Sequence, residues 1–450
     1  MPFLIRPVRG LEMVGGERQL VHSGAVIPDS RTLTAVGWDS DETSALHRRL
    51  VQVFGPQAPN PQVVDLSGER VVIGREPGEG HALRDGTASR RHAEIRRGKD
   101  DRYEVVDLSS KNGSWVDGQR VRTGVLRSGS VLRTGEHLFV FEELRGSAGQ
   151  ALEPGPECSL ARAWSEHLVG KAAESEHPLL IRGPTGAGKE RLASLYHEAS
   201  GRSGALVPVN CAAFSSELLG SELFGHVQGA FSGAKDDRDG LILSAHGGTL
   251  FLDEVADLPM DQQPALLRVL QERRVRPVGS DKERSVDVRL ISATHKDLEE
   301  LSETGDFRTD LFARLAGLVV HLPGLARRRV EILPLLRGFA PGLRLGVAAV
   351  EALLLYHWPR NIRELQALAG QLAVLGDNSL ELAALPTSIR IRPRTQAPAE
   401  VTEESLRSLL DCHRGKVAEV ARSLGKSRQA TYRLLQDFGI DPGPYRSSRD

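Results

Sequence analysis

The chain has 450 residues, with 58 Lys+Arg against 59 Asp+Glu and a formal net charge of −1. That length suggests several domains, and the balance excludes a globally basic nucleic-acid protein while leaving room for a local basic module. The three cysteines, Cys158, Cys211 and Cys412, lie far apart without C-x-x-C spacing, so neither a zinc site nor a disulfide framework is signalled.

No run approaches the ~18 consecutive apolar residues of a membrane span, and the opening MPFLIRPVRGLEMVGG lacks a sustained apolar segment of the secretory type. A cytoplasmic protein without a membrane partner is expected. Residues 1–60 mix polar residues, Pro and Gly without periodicity and read as a loosely ordered arm. Over 61–145 short β-type runs alternate with turns (RVVIG, HAEIRR, RYEVVDL, SWVDG, HLFVFEE), which argues a β-sandwich. A Gly/Pro-rich linker follows at 146–158. Over 159–325 apolar strands alternate with helical stretches, the pattern of a parallel sheet covered by helices. Residues 326–388 read as helical, 389–401 as a second linker, and 402–450 as a compact helical unit.

GPTGAGK at 183–189 fits G-x-x-x-x-G-K between the strand HPLLIRG and the helix ERLASLYHEA. Gly183, Gly186 and Gly188 let backbone N–H groups turn inward around phosphates, Thr185 lies within that turn, and Lys189 reaches the terminal phosphates. Glu190 stands where Ser or Thr usually binds magnesium. The apolar strand GGTLFLDE ends in Asp253 and Glu254. There Asp253 would hold Mg²⁺ and Glu254 would polarise the water attacking ATP. Arg308, Arg314 and Arg363 lie downstream. Each alone reads as a surface ion-pair residue, but any of them could neutralise transition-state charge.

The motifs GPTGAGKE, VNCAAF, ELFGHVQGAFSGA, GGTLFLDE, VRLISATHKDL, FRTDLFARL and WPRNIREL occur in that order. Together they resemble the AAA+ domain of sigma-54-dependent transcription activators, the bacterial enhancer-binding proteins. In that family Glu after the P-loop lysine is usual. The resemblance implies that GAFSGA is the family's GAFTGA loop, with Ser232 keeping the threonine hydroxyl. Gly229, Phe231 and Ser232 would then contact sigma-54 RNA polymerase as ATP turns over. It further implies that Asn210 restrains Glu254, that Arg308 and Arg314 reach a neighbouring subunit's ATP in a ring, usually a hexamer, and that Arg363 senses the phosphates from a lid. His295 stands where the family usually has Asn in its sensor strand, Arg360 replaces the Gly of WPGN, and the lid between Ile332 and Trp358 is shorter than usual. These departures bear on turnover and ring stability more than on nucleotide binding.

VIGRE (72–76), SRRHAEI (89–95) and DLSSKNGSWVDG (107–118) resemble a forkhead-associated (FHA) domain. The resemblance implies that Arg75, Ser89 and Arg90 contact a phosphothreonine phosphate, that Lys111 and Asn112 touch the surrounding peptide, and that His92 holds loops together. The partner would be a Ser/Thr kinase or a phosphothreonine protein. A guanidinium and a hydroxyl at loop tips suit such a phosphate.

Residues 403–440 carry helical periodicity on both sides of Gly425. One apolar face holds Val417, Val420, Ala421 and Leu424, and another holds Leu434, Leu435 and Phe438. From Arg414 to Arg433 six bases face one acid, Glu419. This basic helix-turn-helix pattern resembles a Fis-type DNA-binding domain. Arg428, Gln429, Tyr432 and Arg433 are the expected contacts to enhancer DNA, with Ser427 as the N-cap.

The expected fold is therefore multidomain: an FHA β-sandwich, an α/β P-loop AAA+ domain with a helical lid, and an all-α helix-turn-helix. The expected function is an ATP-hydrolysing sigma-54 activator switched by phosphothreonine recognition. The alternative is a non-enzymatic adaptor that joins a phosphoprotein to DNA and holds ATP without useful turnover.

Overall fold

In a computed structural model the N-terminal strands form two antiparallel-rich sheets. The structure describes residues 44–56, 60–66, 68–78, 80–83, 85–98, 100–147, 153–375, 379–390, 403–413, 415–424, 431–432, 434–435, 438, 440–443 and 445. One sheet has six strands, in the order Gln62–Val64, Ser44–Phe54, His137–Ser147, Val131–Thr134, Ser114–Val116, Gln119–Val121. The other has five, in the order Gly80–Ala82, Arg70–Gly74, Ala93–Arg97, Tyr103–Asp107, Thr123–Leu126. Leu50, Ile73, Ile95, Val105, Leu132 and Phe139 fill the space between them.

One expectation needs correction here. Ser44–Phe54, assigned to a loosely ordered arm, is an eleven-residue strand inside the six-stranded sheet. The run RRLVQVF supplies the β-branched and apolar residues that a half-buried strand wants. The remainder of the expected arm, residues 1–43 and 57–59, lies outside the described residues. The end of the 146–158 linker is tied to the sandwich. The buried Arg49 guanidinium pairs with Glu142 at 2.7 Å and donates to the carbonyls of Pro154, at 2.9 Å, and Cys158. Residues 148–152 and 391–402 of the two expected linkers are outside the described set.

The chain divides into two compact units. Trp164–Leu322 belongs to one; Ala45–Leu144, Gly149–Ala163 and Pro323–Asp450 belong to the other. The first unit is built on a five-stranded parallel sheet in the order Leu206–Asn210, Thr249–Asp253, Arg289–Thr294, Leu179–Arg182, Leu318–His321. Apolar cores lie on both faces, one around Leu252, Leu266, Leu290 and Leu311, the other around Ile181, Tyr196, Phe251 and Ile291. Strands buried on both faces read as continuous apolar runs, as LLIR and TLFLD do.

In the second unit the helices Ile332–Phe339, Val347–Leu355 and Asn361–Leu375 bury Leu333, Leu336, Val350, Leu353 and Leu365. Val51, Val53, Val131, Leu138 and Val140 of the sandwich belong to the same core. The left-handed backbone at WPRN falls on Trp358 (φ 47°) and Asn361 (φ 53°), not on Arg360. No glycine is therefore required at 360, which explains why arginine is tolerated there. Further on, helices Glu403–Cys412 and Val417–Leu424 pack through Leu406, Leu410, Val417, Val420 and Leu435. Phe438, expected on that apolar face, is exposed.

Candidate functional site

Within the first unit, the turn from strand Leu179–Arg182 into helix Lys189–Ala199 is made by Gly186 (φ 74°) and Gly188 (φ 101°). A side chain at either would be strained. At Gly183 an added Cβ would stand 2.5 Å from the Leu322 carbonyl oxygen, so only glycine lets the strand end this closely packed. Ala187 and Lys189 are buried, while Thr185 and Glu190 are exposed.

The parallel sheet then brings three carboxylate and base groups to this turn. Thr249–Asp253 ends beside Arg289–Thr294, which delivers Glu254 and His295 to one end of the sheet. Lys189 Nζ donates to the Gly183 carbonyl at 3.1 Å and lies 3.2 Å from Glu254 Oε1. The other Glu254 oxygen, Oε2, is 2.7 Å from His295 Nδ1. Burial works to raise the Glu254 pKa, but the His295 hydrogen bond and the Lys189 charge prevail and hold it below the ordinary carboxylate value. Its neighbour goes the other way: burial pushes the Asp253 carboxyl up despite Lys189. Glu254 also holds a left-handed backbone (φ 51°, ψ 49°), a strain that for a non-glycine residue marks functional positions.

Asn210 pairs in register with Asp253. Its Oδ1 accepts from the Ala212 N–H at 2.9 Å, so the groups on Glu254 here are His295 and Lys189. Arg308 forks onto Asp310, with Nη2 2.7 Å from Oδ2; Arg314 donates to the Leu270 carbonyl at 3.2 Å. Both are exposed on the first unit. Arg363 is exposed on helix Asn361–Leu375 of the second.

The GAFSGA segment is a hairpin loop whose base is the pairing of Gly225–His226 with Arg238–Asp239. Gly229 (φ 79°) and Gly233 (φ 116°) give it left-handed corners, and the Gly229 N–H reaches the Ala234 carbonyl at 2.9 Å. Phe231 is 45% exposed, and Ser232 is exposed beside it. The Phe231 ring meets His226 edge-on, centroids 5.0 Å apart. His226 was not singled out from sequence; it precedes the loop, but nothing local signalled this contact.

In the sandwich, Arg75, Arg90, Lys111 and Asn112 are exposed at loop tips. Ser89 links the two loops: its Oγ accepts from the Lys111 N–H at 3.0 Å, which leaves the hydroxyl proton available. Asn112 Nδ2 donates to the Thr87 carbonyl at 2.7 Å. Fully buried His92 accepts from the Ser89 N–H at 3.2 Å through Nδ1, so Nε2 carries the proton and donates to the Gly113 carbonyl at 3.1 Å. It ties the loops, as expected. Of the expected DNA contacts only Tyr432 is described, and it is exposed; Arg428, Gln429 and Arg433 lie outside the described residues.

Among the described residues no helix is long and apolar enough to cross a membrane, and no cluster of three or more His, Cys, Asp or Glu side chains could hold a metal by itself. Magnesium that keeps its waters and leans on substrate phosphates needs only one or two carboxylates. The buried Asp253 Oδ1 has no hydrogen-bond partner among the described residues, and it fits that role.

Residues 160–321 match the Sigma-54 interaction domain, residues 71–135 the FHA domain, and residues 337–402 an AAA+ ATPase lid domain. The chain is 39% identical over 297 residues to the transcriptional regulatory protein GlrR of Escherichia coli K12, covering 61% of this chain and 65% of GlrR, less than two thirds of its length. It is 39% identical over 320 residues to the transcriptional regulatory protein ZraR of Salmonella typhimurium, covering 64% of this chain and 72% of ZraR. A crystal structure of NtrX from Brucella abortus in complex with ATP aligns at 33% identity over 65% of this chain and 70% of that one, with a TM-score of 0.48.

Proposed function

This chain belongs to the sigma-54-type transcriptional regulators and carries an FHA domain, and from that premise we propose that it hydrolyses ATP to remodel sigma-54 RNA polymerase. The observation that carries the reading is the convergence of Lys189, Asp253 and Glu254 on one glycine turn. The glycine turn would cradle the phosphates, with Lys189 on the terminal ones. Asp253 would hold Mg²⁺, which neutralises charge developing on the phosphate oxygens. Glu254, kept ionised, accepts the proton of the attacking water. For this to happen Lys189 exchanges Glu254 for phosphate, which leaves His295 as the group that orients the base. The exposed Arg308 and Arg314 would complete the site of a neighbouring copy in a ring, Arg308 first releasing Asp310.

Phe231, half exposed on a loop with two left-handed glycine corners, is the contact offered to sigma-54. Arg75, Ser89 and Arg90 read a phosphothreonine, with Lys111 and Asn112 beside it, and the basic C-terminal helices bind enhancer DNA. The experiment is phosphate release by the full chain against Glu254→Gln. Loss of a positioned base costs about 10²–10⁴-fold, and equal rates would refute hydrolysis at this site.

A further inference from the structure

The six-stranded sheet is apolar on both faces. Leu50, Leu132 and Phe139 face the sandwich core. Their chain neighbours Val51, Val131 and Leu138 are buried in the core shared with the lid helices. Side chains alternate across a strand, so the outer face of this sheet is the one turned to the lid. An isolated sandwich would leave that face in water, where a contiguous apolar patch marks an interaction surface.

Charged groups close the seam. Arg133 Nη1 lies 3.3 Å from Glu351 Oε2, and the Glu351 side chain is only 4% exposed on helix Val347–Leu355. The Arg133 guanidinium also stands over the Trp115 ring, 4.5 Å from its centroid, and the two residues pair in register across neighbouring strands. A second arginine, Arg329, donates to the Gly129 carbonyl of the sandwich and lies 3.8 Å from Asp117. Removing one partner of a buried pair is costly, whereas replacing both by apolar groups is often neutral. Such pairs therefore fix the register of the seam more than they add to its strength.

Trp115 begins where the phosphopeptide loop ends. Asn112 is three residues before it, the Gly113 carbonyl between them is held by His92, and Ser114 Oγ donates to Asp107 at 2.7 Å. One short strand and one guanidinium thus separate the loop tip from a buried acid of the lid.

The outer face of the six-stranded sheet is the surface on which the chain's own lid is docked, and we propose that a phosphothreonine peptide at the loop tips acts on the lid through Trp115, Arg133 and Glu351. The second half rests on the phosphopeptide reading above; the docking surface does not. A peptide that alters the lid must, by reciprocity, have its own affinity altered by whatever changes the lid.

Amide hydrogen exchange on the full chain tests both halves. Arg133→Met and Glu351→Met should each speed exchange across Val347–Leu355 by at least about tenfold, while the double variant returns it to within about threefold of the parent. Parent-like exchange in both single variants overturns the docking surface. A degenerate phosphothreonine peptide pool should change exchange across Val347–Leu355 by at least about threefold in the parent. It should leave lid exchange in Arg133→Met unmoved although that variant still binds the phosphorylated pool, and the unphosphorylated pool should do nothing. Peptide bound with lid exchange unmoved overturns the coupling. No binding of the phosphorylated pool overturns the phosphopeptide reading and the coupling together, and the first comparison still decides the docking surface.

Discussion

His295 Nδ1 lies 2.7 Å from Glu254 Oε2, and Lys189 Nζ lies 3.2 Å from Glu254 Oε1, so the candidate base is gripped through both oxygens. The imidazole of His295 thus holds the Glu254 oxygen that Lys189 leaves open. The consequence is a carboxylate held below its ordinary pKa.

That direction sets a pH dependence. Because the folded Glu254 pKa is depressed, its contacts stabilise the fold fully above the ordinary carboxylate value, and this contribution is lost as pH falls through the depressed value. Removing His295 takes away the leading group that lowers it. His295→Ala should move the acid limb of the phosphate-release profile upward, toward the ordinary carboxylate range. An acid limb that stays in place in the variant contradicts the positioning role.

Asp253 behaves oppositely. Burial raises its pKa, so without a cation its ionised form costs stability at neutral pH, a cost relieved as pH falls. Asp253→Asn should raise the melting temperature of the metal-free chain by up to about 2 °C. It should also abolish any further stabilisation by Mg²⁺ with ATP. A variant that melts lower without metal, or keeps the Mg²⁺ effect, argues against Asp253 as the ligand.

Arg75 is exposed, and among the described residues its guanidinium comes no closer to an acid than 4.0 Å, at Glu76, so its loss should not unfold the sandwich. Hydrogen bonds to charged groups contribute about 1.5–3 kcal/mol. Arg75→Ala should therefore weaken phosphothreonine-peptide binding by about 10–100-fold at an unchanged melting temperature. Equal affinity by titration calorimetry would remove Arg75 from the site.

At Arg360 the backbone does not enter the left-handed region, and its N–H donates to Glu364 Oε2 at 3.0 Å. Reintroducing glycine there gains no strain relief and adds freedom to the unfolded chain. Arg360→Gly should destabilise by about 0.4–1 kcal/mol, read as a lower midpoint in urea. A higher midpoint would mean that the arginine is strained.

Much of this was legible where chemistry is local in sequence. The P-loop, the strand ending in Asp253-Glu254 and the glycines around Phe231 each announce themselves within a few residues, because a turn or a strand end is a local event. The His295–Glu254 contact is not local: the two are brought together only by the parallel pairing of Thr249–Asp253 with Arg289–Thr294. The strand Ser44–Phe54 was hidden by the irregular chain before it. The lid contact was hidden differently. HLFVFEE read as one strand of a sandwich, yet alternation would have left every second residue polar; its unbroken LFVF run is the signal of a strand buried on both faces. Leu138 and Val140 face the lid, and Phe139 and Phe141 face the sandwich core.

The central claim is that ATP turnover at Glu254 is delivered to sigma-54 through Phe231. It is tested most directly by open-complex formation with purified sigma-54 RNA polymerase and the full chain, scored by permanganate reactivity of the promoter. ATP should yield open complexes with the parent protein; Phe231→Ala should yield none while releasing phosphate at the parent rate. Open complexes formed equally well by Phe231→Ala, or none formed by a parent protein that hydrolyses ATP, would contradict it.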